Sequence, residues 1–212
     1  MFVLDSNKYA IALHTSTPQL GIAINNYAGN SRSQIWDLGR GLASQLHQHL
    51  SEILTPQTWQ DLEFIAVAKG PGGFTGTRVG VVTARTIAQQ LDIPLFGISN
   101  LAAVAAAQFS QSEQSRFFAV QMDARREQLF VAIYQVSNQG LQTYMADTLM
   151  AIEVWQKALA ELPFAYELII AEAPIAQTVT DILDLAYSAW QQGKHTHWSE
   201  VIPYYGQHPV QG

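Results

Sequence analysis

The segment from residue 64 to residue 91 limits the possible folds more than any other part of the sequence. It reads FIAVAKGPGGFTGTRVGVVTARTIAQQL, which is a short apolar run, a stretch dense in glycine and a long segment with helical periodicity. This order predicts a buried strand over 64–69 and a helix over 77–91, joined by a glycine loop. Glycine at this density indicates that the backbone lies close to a phosphate, to a partner protein or to the chain itself.

Two known phosphate-binding patterns do not fit the loop. The pattern GxxxxGK[ST] requires a Gly-Lys pair, which the loop lacks, and the pattern GxGxxG fails at Thr75. A generic phosphate site at the start of the helix therefore stays open. The favoured interpretation is a tight turn with close helix packing, which also accounts for the small residues Gly80 and Ala84.

The rest of the chain predicts an α/β protein with two related lobes, because strands followed by strand–helix alternation occur twice. The polar segment 110–116 is the predicted boundary, which gives lobes over 1–110 and 111–212, with the C-terminal tail packing back on the first lobe. The predicted strands are 8–14, 20–27, 33–38, 64–69, 95–99, 117–124, 128–137 and 166–171. The predicted helices are 41–54, 77–91, 100–109, 151–162 and 175–192, with Ser99 as an N-cap and a hairpin turn at 125–127.

Composition excludes several classes of protein. The chain has 212 residues, of which 48% are hydrophobic and 13% charged, as in globular proteins. It contains no cysteine, so disulfides, thiolate metal sites and cysteine nucleophiles are excluded. The net charge of −6 opposes direct binding to a phosphate backbone, so any role with nucleic acid is expected to be indirect. The lack of a signal peptide and of a long apolar run predicts a cytoplasmic protein without membrane contact.

Two motifs carry a resemblance to a known family. The stretch GPGGFTGTRVGVVTARTIAQQLDIPLFGIS resembles the GPGSFTGxRxG signature of the TsaB (YeaZ) family, and MDARREQLFVAIY resembles that family's Asp-Ala-Arg hairpin. The resemblance covers roughly residues 8–136. It implies a two-lobed fold like that of actin and the sugar kinases. The glycine loop, as a structural or vestigial phosphate loop, then comprises Gly70, Gly72, Gly73, Thr75, Gly76 and Arg78.

The family also implies a function. Its members are non-catalytic partners of TsaD, the metal- and nucleotide-binding transferase that makes N6-threonylcarbamoyladenosine in tRNA, and a TsaE-like ATPase joins the complex. The contact is expected on helices of the first lobe, through which the chain alone would form a homodimer. The interface residues expected on these helices are Leu42, Leu46, Leu50, Val81, Ala84, Arg85 and Ala88.

Several positions depart from what nucleotide chemistry in this superfamily needs. His14 stands where an acidic residue usually ends the first strand, so His14 and Thr15 are interpreted as vestigial. The side chains of the segment AEAPI, 171–175, would crowd an adenine. Asp123 is interpreted as a vestigial carboxylate that caps a turn or pairs with an arginine. We expect no catalytic residue, no metal and no cofactor; the alternative is an independent small-molecule kinase or ATPase of the same fold.

Overall fold

A computed structural model describes residues 2–108, 115–204 and 206. The first lobe contains a five-stranded sheet in the order β3-β2-β1-β4-β5, and the second a four-stranded sheet in the order β8-β7-β6-β9. The strands of the first sheet are β1 (Tyr9–His14), β2 (Gln19–Asn25), β3 (Ser31–Asp37), β4 (Leu62–Ala68) and β5 (Leu95–Ile98). Those of the second are β6 (Arg116–Asp123), β7 (Gln128–Ser137), β8 (Gly140–Ala151) and β9 (Tyr166–Ile170).

Within these residues, five α-helices cover the faces of the two sheets. They are α1 (Leu42–Leu54), α2 (Phe74–Leu91), α3 (Asn100–Ala107), α4 (Ile152–Ala160) and α5 (Val179–Gln191). The buried stripes of α1 and α2 pack on one face of the first sheet, and α5 packs on the other. Helix α3 lies against β6 and β7 of the second sheet, whereas α4 inserts Trp155 on that sheet's opposite face.

The two sheets repeat one topology. In each, three consecutive antiparallel strands form a meander whose first strand then pairs in parallel with a strand that follows a helix. Both sheets are therefore mixed, and each carries helices. The predicted two-lobed α/β architecture, with a mixed sheet and helices in each lobe, is confirmed.

The structure corrects several predicted elements. Helix α2 begins at Phe74, three residues before the predicted start, so Thr75 and Gly76 belong to the helix and the loop ends at Gly73. Strand β8 was not predicted, because none of its side chains is buried and their polarity does not alternate regularly. Helix α5 is shorter than the predicted 175–192, since a 3-10 turn over Ala176–Thr178 precedes it.

The predicted lobe boundary lies largely outside the described residues, as does Phe109, the predicted end of α3. Helix α3 ends at Ala107. After α5 the chain returns to the first lobe, where a 3-10 turn (Trp198–Glu200) lies against α2 and Val201 is buried in the core beneath α1 and α2. In the part of the chain that the structure describes, no helix is both long and apolar enough to cross a membrane.

Candidate functional site: the cleft between the lobes

A cleft of about 1260 Å³ opens between the two lobes. From the first lobe it is lined by the turn after β1 (residues 15–18) and by the loop and first turn of α2 (72–77). The second lobe contributes the turn after β6 and the segment 170–173 that follows β9. Because parallel strands end at the same edge of a sheet, the ends of β6 and β9 lie together at the opening, where they meet the turn that follows β1.

The end of β1 carries a buried polar segment. His14 and Thr15 are fully buried, and Ser16 is 2% exposed. Neither ring nitrogen of His14 has a hydrogen-bond partner within the structure, and burial lowers the pKa of this imidazole to about 4. His14 is thus a neutral side chain at physiological pH, and it is not among the described residues that line the cleft.

The glycine loop is held by hydrogen bonds from its own chain. The Gly73 amide donates to the Ser16 carbonyl oxygen at 2.7 Å, and the Asn100 amide donates to the Gly70 oxygen at 2.9 Å. The Asn100 side chain donates to the Pro71 oxygen at 2.7 Å. Gly70 adopts φ +99°, and a side chain there would lie 2.8 Å from the Tyr204 oxygen. These contacts fix the loop without a ligand.

Three other glycines let α2 pack closely against the turn after β1. A Cβ atom at Gly76 would overlap the Thr15 carbonyl oxygen, and one at Gly80 would overlap the Thr15 hydroxyl. A Cβ at Gly72 would lie 2.8 Å from that of Ser16. The Thr15 hydroxyl donates to the Gly76 oxygen at 2.8 Å, so strand end and helix are joined where they touch. Gly76 and Gly80 of α2 therefore meet Thr15 of the same chain.

The first two turns of α2 carry polar and aromatic side chains at the surface. Thr75 is exposed in the first helical turn, where it lines the cleft. Arg78 lies in the second turn, and its guanidinium is 4.7 Å from the centre of the Phe74 ring. Phe74 is 58% exposed, so an aromatic ring and a cation lie together on the outer side of the helix.

The predicted interface residues on α1 and α2 need correction, because most of them face inward. Six are buried in the first lobe's own core: Leu42, Leu46, Leu50, Val81, Ala84 and Ala88. Arg85 is half-buried, with its guanidinium 5.7 Å from the centre of the Trp198 ring. The apolar periodicity marks the face that packs on the sheet, so a partner would contact the opposite face of α2. That face carries Phe74, Arg78, Val82 and Thr86, all exposed, and we call it the outer face of α2.

The second lobe brings carboxylates and a cation to the cleft. Asp123 is exposed, and its carboxylate accepts the Arg125 amide at 2.9 Å, as a turn-capping residue does. Arg125, Ala171, Glu172 and Ala173 also line the opening. No group of three His, Asp or Glu residues that could hold a metal occurs in the described ranges.

Sequence reasoning missed the part that the tail plays at the cleft. The Tyr204 amide donates to the Lys69 oxygen at 2.7 Å, and its hydroxyl donates to the Asp147 oxygen at 3.0 Å. Tyr204 and Phe130 both line the cleft, with ring centres 6.1 Å apart. The tail thus connects the lobes, and no sequence signal marks it because the contacts are long-range.

Comparisons with known proteins agree with this architecture. The model of the TsaD family, described as tRNA N6-adenosine threonylcarbamoyltransferase, matches residues 42–192, which is more than half of the chain. The chain is 38% identical over 102 residues to the tRNA threonylcarbamoyladenosine biosynthesis protein TsaB of Bacillus subtilis, covering 48% of this chain and 43% of that protein. It is 27% identical over 133 residues to TsaB of Escherichia coli, covering 62% and 57%. The chain thus spans about half the length of the curated relatives it matches.

Solved structures extend the likeness over nearly the whole chain. YeaZ from Pseudomonas aeruginosa superposes with a TM-score of 0.75 at 21% identity, covering 93% of this chain and all of that one. Another Pseudomonas aeruginosa structure, of a protein with similarity to peptidase YeaZ, gives 0.76 at 20% identity, covering 94% and 100%. At these identities the likeness shows the fold alone. The family model establishes that this chain belongs to the TsaD family, and the curated relatives that it matches include TsaB proteins.

Proposed function

We propose that this chain is a non-catalytic subunit in the biosynthesis of tRNA threonylcarbamoyladenosine and that it acts by docking on a TsaD-like transferase. The names of the relatives supply the pathway. The observation that carries the non-catalytic part is His14, a buried neutral imidazole at the strand end where a carboxylate would help to hold a metal–phosphate group.

The rest of the cleft supports the same proposal. Asp123 caps its own hairpin turn, and side chains at Ala171 and Ala173 narrow the opening on the second lobe. The glycine loop is bonded to the turn after β1 and to α3, which favours a structural role over a phosphate cradle. These features favour a protein that is itself bound over one that binds a nucleotide.

The outer face of α2 is the surface that we assign to the TsaD-like partner. Val82 is 60% exposed and Phe74 is 58% exposed, one on either side of Arg78 along the helix. Exposed aromatic, arginine and aliphatic side chains on a rigid helix are the usual anchors of a protein interface. The same face would join two copies when the partner is absent. We include a TsaE-like ATPase as the third member, with tRNA contacted through the partners.

The test of this assignment is the substitution Val82→Glu. A carboxylate at the centre of the outer face would have to be desolvated on docking, so we expect tRNA modification in a mixture with the same organism's TsaD-like protein to fall at least tenfold. The matched control is Val154→Glu on α4, a valine that is 55% exposed in the other lobe and should leave modification unchanged.

An unchanged rate of tRNA modification in Val82→Glu would refute the docking surface.

The alternative function, an independent kinase or ATPase, is supported by the size of the cleft, about 1260 Å³. Calorimetric titration of the chain alone with Mg-ATP separates the two: the proposal predicts no measurable heat of binding, whereas tight binding would favour the alternative.

A further inference from the structure

Strand β9 forms an exposed edge of the second sheet. Within the described residues it pairs only with β6, in one unbroken register from Phe117–Tyr166 to Gln121–Ile170. Side chains on one face of the strand are exposed: Tyr166 by 38%, Leu168 by 44% and Ile170 by 58%. An edge strand leaves half of its backbone hydrogen-bonding groups without a strand partner, so β9 offers such groups beside an apolar strip.

Natural sheets usually protect their edge strands. The other edge strands in the described part of the chain are β3, β5 and β8, and each is protected in its own way. In β3 the guanidinium of Arg32 is bonded to the Ile53 oxygen at 2.8 Å, and the strand is polar. At β5 the Leu95 amide donates to the Thr196 oxygen of the returning tail. The ladder of β8 with β7 is irregular near Val131. Strand β9 contains no lysine, arginine or proline, and its register has no bulge.

The sequence of β9 is complementary to itself. If two copies pair antiparallel about a two-fold axis at Leu168, each Leu168 lies opposite its symmetry mate and each Tyr166 lies opposite Ile170 of the other copy. Glu167, the one charged residue of the strand, then lies opposite Ile169, so no like charges face each other. A two-fold contact of this kind is complete with two copies of the chain. It would join the second sheet of each copy into a single eight-stranded sheet.

We propose that β9 is a self-association edge, through which two copies of this chain pair antiparallel at Leu168. The contact is separate from the outer face of α2 and does not depend on the function proposed above. Because each copy carries a net charge of −6, the pairing should strengthen with added salt, which screens the repulsion between copies.

A cross-linking experiment tests the register directly, because the chain contains no cysteine. Residues directly opposite each other have Cα atoms about 4.5–5.5 Å apart, within the range that a disulfide spans. We expect Leu168→Cys to form a disulfide dimer under mild oxidation. Ile170→Cys is the matched control: it is more exposed, but its symmetry mate would be about 13 Å away along the strand, so it should cross-link at least tenfold more slowly. Equal rates for the two variants would overturn the proposed pairing.

Light scattering on the full chain with Val82→Glu provides a second test, since that substitution disables any pairing through α2. The proposal predicts a concentration-dependent dimer of twice the 23.4 kDa chain mass, and a monomer when Leu168→Lys is added. A lysine at this position would face its own symmetry mate. A monomer with Val82→Glu alone at about 100 µM, or a dimer that Leu168→Lys does not disturb, would contradict the proposal.

Discussion

At the scale of single residues, Gly76 lets α2 pack against the turn that follows β1. Alanine at this position would gain about 0.5–1 kcal/mol of helix propensity, but its Cβ would overlap the Thr15 carbonyl oxygen. Backbone overlap of this kind costs more, so we expect Gly76→Ala to lower the free energy of unfolding by about 1–3 kcal/mol in urea titrations.

The control for this prediction is Gly41→Ala at the start of α1. There the new Cβ would meet only the side-chain amide of Gln45, which can move away. We expect a change within about 0.5 kcal/mol. If the two alanine variants unfold alike, the glycines of α2 are not needed for close packing and the structural interpretation of the loop loses its basis.

His14 makes a prediction about pH. Its pKa is about 4 when folded and 6.5 for a free imidazole, so the unfolded chain takes up a proton between these values while the folded chain does not. Stability should therefore fall as pH drops from 6.5 to 4, by up to about 3 kcal/mol from this residue.

The variant His14→Asn isolates this effect in urea titrations at a series of pH values. Burial raises the pKa of Asp181 to about 6, so protonation of this residue favours the folded chain as pH falls. This contribution to stability is the same in the wild type and in the variant. The free energy of unfolding of the wild type, measured relative to the variant, should therefore fall with pH, and only below pH 6.5. A constant difference from pH 7.5 to pH 4.5 would show that His14 is not a neutral, desolvated group.

At the scale of helices and strands, α3 depends on its first residue. The Ser99 hydroxyl accepts the amides of Leu101 at 3.1 Å and Ala102 at 3.2 Å, which are otherwise unpaired at the start of the helix. We expect Ser99→Ala to lower the free energy of unfolding by about 1 kcal/mol. Ser44→Ala, an exposed serine in the first turn of α1 that caps nothing, should change it by less than about 0.5 kcal/mol.

Local patterns were sufficient to predict most elements. The stripe of Leu42, Leu46 and Leu50 places α1 correctly, and Ser99 marks the start of α3, because periodicity and capping act within a few residues. Strand β8 was not predicted because none of its side chains is buried and they carry no alternating pattern. The start of α2 was misplaced because Gly76 has low helix propensity, and packing on Thr15 overrides that preference.

The candidate site was less predictable than the fold. Sequence spacing identifies the loop from Gly70 to Gly76, but only three-dimensional contacts show that Asn100 and Ser16 hold it. Periodicity likewise predicts an apolar helix face without telling whether that face meets the chain's own sheet or another protein. For α2 the apolar stripe around Val81 meets the sheet, and the exposed residues lie on the other side.

At the scale of the whole molecule, two lobes of one topology enclose a cleft that the tail spans through Tyr204. The contacts of this residue with Lys69 and Asp147 join the lobes next to the glycine loop. A cleft tied in this way, with a neutral histidine at the end of β1, suits a subunit that presents a fixed surface to a partner. If the chain acts by docking on a partner, the mass of the complex that it forms in solution reports that action directly.

The most direct measurement is light scattering after gel filtration, on this chain alone and mixed with the same organism's TsaD-like protein. The account predicts that copies of the chain separate from one another on α2 and that each copy then binds one TsaD-like molecule, in a complex that Val82→Glu prevents and Val154→Glu does not. Two separate peaks in the wild-type mixture, at the masses of the unmixed proteins, would contradict the account.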